Sequence, residues 1–320
     1  MSAEATGAAV PVAPVVVRDL VKNYGKVEAV RGISFEINPG ECFGLLGPNG
    51  AGKTTTVEIL EGLLEPTSGG VSVLGMRWGP DDQRIRERLG VCLQQTIFSE
   101  RLQVHETVEL FRCLYARGRD PRLVLEEVGL AEKVNARVGT LSGGQKQRLA
   151  VGCALVGEPD LLFLDEPTTG LDPQSRRQVW EIVNAFKSAG RAVLLTTHYM
   201  AEAERLCDRV AIVDHGRVIA LDTPKRLMTT LGGDHVIEIA LAPDGPPHPE
   251  PSLLADLPAV TSVHVSAGHF FLAVGEVHVA VPALLDRLEA GRWELASLST
   301  RHASLEDVFV ALTGRHLRDE

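Results

Sequence analysis

The chain has 320 residues, 44% of them apolar and 23% charged, which excludes a disordered, collagen-like or small disulfide-bonded protein and leaves room for two domains. Its net charge is −10, unevenly spread: residues 1–232 carry 27 basic against 29 acidic side chains, and residues 233–320 carry 5 against 13. Such a chain has no global attraction for nucleic acid or anionic lipid, and no run of it approaches the roughly 20 apolar residues of a membrane span.

Residues 1–14 are Ala- and Pro-rich, with Glu4 and no basic residue before Arg18, and read as a loose extension rather than a secretory signal. Runs at Val15–Leu20, Glu28–Ile37 and Glu41–Leu46 predict strands. The third leads straight into Gly47-Pro48-Asn49-Gly50-Ala51-Gly52-Lys53-Thr54, and a helical pattern follows over Lys53–Leu63. Glycines at this G-x-x-x-x-G-K-[ST] spacing let backbone N–H groups converge on phosphate oxygens, with the helix N-terminus adding positive charge. Lys53 is expected to reach the β- and γ-phosphates, Thr54 to bind Mg²⁺ through its hydroxyl, and Thr55 to contact the α-phosphate.

Val71–Leu74 and Gly90–Leu93 are further short strands. Helical patterns at His105–Ala116, Arg122–Val128 and Gly143–Leu155 follow, so the stretch from about 102 to 156 reads as an inserted helical subdomain. Leu161–Asp165 is a buried strand that ends in two acids, at the edge where parallel sheets bind ligands. Asp165 is placed to hold Mg²⁺ through water, and Glu166 to orient or deprotonate an attacking water. Pro173–Ser188 and Tyr199–Leu206 are helical, and Ala192–Thr196, Val210–Asp214 and Val218–Leu221 are strands. This alternation predicts an α/β fold with a largely parallel sheet.

A boundary is expected at Gly232-Gly233, dividing residues 15–232 from a C-terminal unit of residues 233–320. Strands at His235–Ala240, Val260–Val265, Phe270–Val274 and His278–Val281, a Pro-rich stretch from Pro243 to Pro258 and a helix at Ala283–Ala290 predict a small α+β domain. It holds seven of the ten histidines, without metal-ligand spacing and expected at surface or edge positions. Leu305, Val308, Phe309 and Leu312 form the apolar face of a final helix capped by Ser304. The cysteines Cys42, Cys92, Cys113, Cys153 and Cys207 form no Cys-x-x-Cys pair and read as small buried side chains in a reducing compartment.

Leu141-Ser142-Gly143-Gly144-Gln145 combines an N-capping serine with two glycines that leave N–H groups bare, an anion trap. With the phosphate loop and the Asp165-Glu166 pair, it makes the chain resemble the nucleotide-binding subunit of an ATP-binding cassette (ABC) transporter, over about Val15 to Leu231. The resemblance implies a P-loop NTPase cassette that hydrolyses ATP with Mg²⁺, with Lys53, Glu166 and His198 catalytic. Tyr24 then resembles the adenine-stacking aromatic and Asp172 the D-loop residue. Gln94 resembles the Mg²⁺-contacting Q-loop glutamine; Gln95 leaves that register open by one, and Gln94 keeps the spacing to Val104. One departure is Cys153, where many relatives carry arginine.

The final helix, with Thr197-His198-Tyr199-Met200-Ala201-Glu202-Ala203-Glu204, resembles ATPase subunits of ABC-2 type exporters of the daunorubicin-resistance kind. The resemblance implies export of a drug, lipid or polysaccharide through a separate multi-span permease. The alternatives are an importer ATPase and a non-transport ABC ATPase acting on nucleic acid or the ribosome. Two cassettes are expected to dimerise head to tail, each ATP lying between one phosphate loop and the partner's signature. The segment after Gln94, with Phe98, Leu102 and Val104, is expected to receive the permease's coupling helix. Such a subunit works at the cytoplasmic face of the membrane, with no nucleic-acid partner.

Overall fold

A computed structural model describes residues 12–243, 246–266 and 268–313. Residues 1–11 of the expected extension and residues 314–320 lie outside the described residues. The chain opens with strands β1 (Val15–Tyr24) and β2 (Val27–Ile37), joined by a tight turn at Gly25. Strand β3 (Cys42–Leu46) and helix α1 (Lys53–Leu60) follow, then β4 (Ser68–Val73), α2 (Asp82–Arg86) and β5 (Leu89–Cys92). A helical interval holds α3 (Val104–Arg112), α4 (Pro121–Glu127) and α5 (Gly143–Leu155). Strand and helix then alternate through β6 (Leu161–Asp165), α6 (Pro173–Ser188), β7 (Ala192–Thr197), α7 (Met200–Leu206), β8 (Arg209–Asp214), β9 (Arg217–Asp222) and α8 (Pro224–Thr229).

Six of these strands form one sheet in the order β5-β6-β7-β3-β8-β9, parallel except for β9. Strands covered on both faces read as continuous apolar runs, and side chains alternate between the two sides. In β6, Leu161 and Phe163 enter a core shared with the antiparallel sheet β2-β1-β4, while Leu162 and Leu164 enter a second core under the helices. The expected α/β class with a largely parallel sheet is therefore the observed one. The inner strands β6, β7, β3 and β8 are buried along almost their whole length, whereas the edge strand β9 is only partly buried.

The C-terminal part comprises β10 (His235–Leu241), α9 (Pro251–Ala255), β11 (Val260–Ser266), β12 (His269–Val274), α10 (Val277–Ala290), β13 (Leu295–His302) and α11 (Leu305–Thr313). Its antiparallel sheet runs β11-β12-β10-β13 and has a core of its own, including Ile237, Phe270, Leu272 and Leu284. Helix α11 stands apart. Its Leu305, Val308 and Phe309 are buried in the same core as Met200, Ala203 and Leu206 of α7. Burial of each such side chain contributes about 1.5–3 kcal/mol.

The structure corrects several expectations. His278–Val281 is not a strand but the start of α10, where Ala280, Leu284 and Leu288 are buried at helical spacing. Strand β13, rich in exposed Ser and Thr, had no apolar alternation to reveal it. Helix α1 stops at Leu60 instead of Leu63, because Gly62 adopts a left-handed conformation (φ +74°) that ends it. In α11, Leu312 is half exposed and Val310 takes its place in the core. Cys113 is exposed, while the other four cysteines are buried.

Candidate functional site

The loop between β3 and α1 is glycine-rich for steric reasons visible in the fold. A Cβ on Gly47 (φ +153°) would lie 2.1 Å from the Val213 carbonyl oxygen, and one on Gly52 (φ +100°) 2.5 Å from that of Ala29. Gly50 (φ +74°) instead faces open space. No side chain caps α1, so its first-turn N–H groups stay available to an anion. Buried Lys53 spans the loop, its Nζ donating to the carbonyls of Gly47 (2.7 Å) and Pro48 (2.9 Å). Burial holds its pKa below the ordinary lysine value, opposed by the charges of Glu166 and Asp165.

Sheet order brings three distant segments together. Strands β5, β6 and β7 are neighbours, so the residues that leave their C-terminal ends meet: Gln94, Glu166 and His198. The Gln94 Nε2 donates to Glu166 Oε2 at 3.0 Å, and His198 Nδ1 lies 3.1 Å from Glu166 Oε1. The Thr169 hydroxyl also donates to Oε2, at 3.1 Å. Glu166 itself has φ +46°, a left-handed conformation that is costly for a residue with a Cβ. Its N–H donates to both the carbonyl (3.1 Å) and the hydroxyl (3.0 Å) of Thr196, which holds the strained backbone in place.

Thr196 also donates its hydroxyl to Asp165 Oδ1. Burial raises the Asp165 pKa above the ordinary aspartate value; the Thr196 bond opposes this, Glu166 adds to it and Lys53 opposes it. Thr54, exposed on the first turn of α1, supplies a hydroxyl, and Gln94 keeps its amide oxygen. Carboxylate, hydroxyl and amide oxygens are hard donors, a set that fits Mg²⁺ completed by water and phosphate oxygens.

Sequence reasoning missed Thr196, whose only signal was a hydroxyl at the end of an apolar run, and Thr169, a hydroxyl three residues after Glu166. It also missed Glu61, at the end of α1. This carboxyl is 7% exposed, and its pKa is raised to about 7 by burial first and then by the charges of Asp165 and Glu58.

The remaining candidates lie elsewhere. Tyr24 ends β1 half exposed, with Lys22 Nζ 5.2 Å from its ring centroid. Ser142 and Gln145 cap α5 reciprocally (3.0 and 3.3 Å) while Gly143 faces open space. Gly144 packs against α6: a Cβ there would sit 2.2 Å from Ser175 Oγ. Asp172 caps α6 through Gln174 and Ser175, and the Ser175 hydrogen bonds hold its carboxyl below the usual range. In the segment after Gln94, Val104 is wholly buried and not at the surface, Phe98 packs edge-on against Phe111, and Ile97 is 94% exposed.

A family model described as ABC transporter matches residues 30–169. The chain is 40% identical over 316 residues to the Nod factor export ATP-binding protein I of Burkholderia lata, covering 97% of this chain and 100% of that one. It is 38% identical to the linearmycin resistance ATP-binding protein LnrL of Bacillus subtilis, covering 94% and 98%. Among solved structures, an ATP binding subunit of an ABC transporter is similar at a TM-score of 0.63 and 32% identity, covering 68% of this chain and 93% of that one. The cbiO1 protein of Clostridium perfringens, part of the ABC transporter complex cbiONQ, is similar at 0.62 and 29%, covering 68% and 91%.

Proposed function

Because the chain belongs to the ATP-binding proteins of ABC transporters, a family of ATPases, we propose that Glu166 is the centre of its hydrolytic site. One observation carries this: residues from three chain segments, Gln94, Glu166 and His198, meet at a single carboxylate. Glu166 orients the attacking water and accepts its proton, and His198 and Gln94 hold the carboxylate in place. Lys53 and the loop Gly47 to Thr55, through every backbone N–H it has (Pro48 has none), bind the phosphates, and Lys53 and His198 neutralise charge that develops during in-line attack. Mg²⁺, held by Thr54, Asp165 and Gln94, would neutralise phosphate charge. Tyr24 stacks on the adenine.

Leu141 to Gln145 serve the partner's nucleotide in a head-to-tail dimer, because one chain carries one phosphate loop and one signature, and Asp172 is the D-loop residue. The cassette spans residues 15–232, with its helical part at about 102–156, and residues 233–320 form an accessory unit. Glu166→Gln should leave ATP binding intact, lower turnover by about 10²–10⁴-fold and accumulate a nucleotide-bound dimer. Normal turnover in that variant would remove Glu166 from the mechanism.

The chain energises export through a separate permease. The relatives named for Nod factor export and linearmycin resistance match along nearly its whole length, including the C-terminal unit. Among the described residues no helix is long and apolar enough to cross a membrane, so the subunit would attach to the cytoplasmic face through the permease. Co-expression with a multi-span permease, sought first among the adjacent genes, tests this. Recovery in the membrane fraction supports it, and recovery only in the soluble fraction refutes it.

A further inference from the structure

Helix α7 is the element that follows His198, and it has only seven residues. So short a helix does not hold itself and takes its orientation from what packs on it. On one side, its Glu202 Oε1 accepts the Trp180 indole N–H of α6 at 3.0 Å. On the other side lies α11, whose Leu305, Val308 and Phe309 share a core with Met200, Ala203 and Leu206 of α7.

A polar bond also ties the two helices. The backbone N–H of Leu305 donates to Glu204 Oε1 at 2.7 Å. Glu204 occupies the last turn of α7, where the helix's own free carbonyls disfavour a carboxylate. Local helix preference therefore does not account for it, whereas α11 does. Ser304 and Asp307 cap each other at the start of α11 (2.8 and 3.4 Å), and Arg301 secures Asp307 with two bonds of 2.6 Å. The Leu305 N–H, also at the positive end of α11, lies outside that cap and has the Glu204 carboxylate as its acceptor.

We infer that Glu204 is a positioning residue for hydrolysis: by anchoring α11 to α7, it holds His198 against Glu166 and lets the C-terminal unit set the rate without touching the nucleotide. This rests on the reading of Glu166 and His198 as the hydrolytic pair. Helix α11 packs on both α7 and α8, and the path to the site that Glu204 controls runs through α11, α7 and His198. Glu204 is exposed enough to be replaced without opening a cavity.

The test uses the full-length chain with Glu204→Ala and Glu204→Gln, read by steady-state ATPase kinetics and thermal unfolding. Glu204→Ala should lower kcat about five- to tenfold with KM for ATP unchanged. Its Tm should stay within about 2 °C of the parent. Glu204→Gln keeps an acceptor oxygen and should recover most of the lost kcat. An unchanged kcat in Glu204→Ala overturns the inference. So does a fall in kcat that accompanies a matching fall in Tm and is not recovered by Gln. Glu166→Gln and His198→Ala run as controls. If they retain turnover, the hydrolytic reading fails; if they lose it and Glu204→Ala does not, only the role of Glu204 fails.

Discussion

Glu61 places an ionisable group where water does not reach. A carboxyl with a raised folded pKa favours the folded state while protonated, so its contribution is full below the ordinary carboxylate range and is lost as pH rises through about 7. Glu61→Gln should therefore stabilise the nucleotide-free chain at pH 8 by about 2–3 kcal/mol and change little at pH 4. Urea unfolding at the two pH values measures this, and an equal shift at both would assign the effect to packing instead. Thr196 shows the opposite economy, with one hydroxyl serving Asp165 and the Glu166 N–H together. Thr196→Val should lower turnover at least tenfold, since it frees the Asp165 carboxylate and leaves the Glu166 N–H only the backbone carbonyl at 196. ATPase assays beside nucleotide-binding assays check it. Lys53 and Glu166 were legible because each belongs to a motif a few residues long. Thr196 was not, because its role exists only once β6 and β7 lie side by side.

At the level of elements, legibility followed burial. Strand β6 and helices α5 and α6 have the bounds read from sequence, since a dry strand is a plain apolar run and each helix opens on a capping side chain, Ser142 or Asp172. The start of α10 was misread because Val-His-Val-Ala-Val satisfies a period of two until Leu284 and Leu288 impose the helical one. Helix α11 carries an electrostatic test. Burial opposes the charge of Asp307, but hydrogen bonds from Arg301 and Ser304 outweigh it and hold the carboxyl below the usual aspartate range. Its contribution is full above the ordinary pKa near 4 and disappears as pH falls through the lowered one. Amide exchange in α11 should thus accelerate on acidification more than exchange in α6. Arg301→Ala should move that acceleration to higher pH, and an unmoved profile would show that the pair does not hold the helix.

For the whole molecule, the order of strands in the central sheet could not be read from spacing, yet it is what assembles the site. Ile97 leaves the same sheet edge and is almost fully exposed, close in sequence to Gln94. A lone exposed apolar side chain is ordinary by itself, but Ile97 lies in the segment after Gln94 that is expected to receive the permease's coupling helix. Ile97→Asp should leave ATPase activity within about twofold while abolishing co-purification with the permease, since surface substitutions rarely disturb the fold. Loss of both would point to misfolding.

The burial of α11 in the main core also bears on how the protein is made. A polypeptide emerges from the ribosome N-terminus first, and domains generally fold in that order. Here every motif for nucleotide chemistry has been synthesised by His198, but the wall behind α7 arrives more than a hundred residues later, with Leu305, Val308 and Phe309. A nascent chain therefore carries a complete set of ATP-handling residues on an unsealed core. Translation through α11 is what closes that core, so prematurely terminated chains would display bare apolar surface to chaperones and proteases.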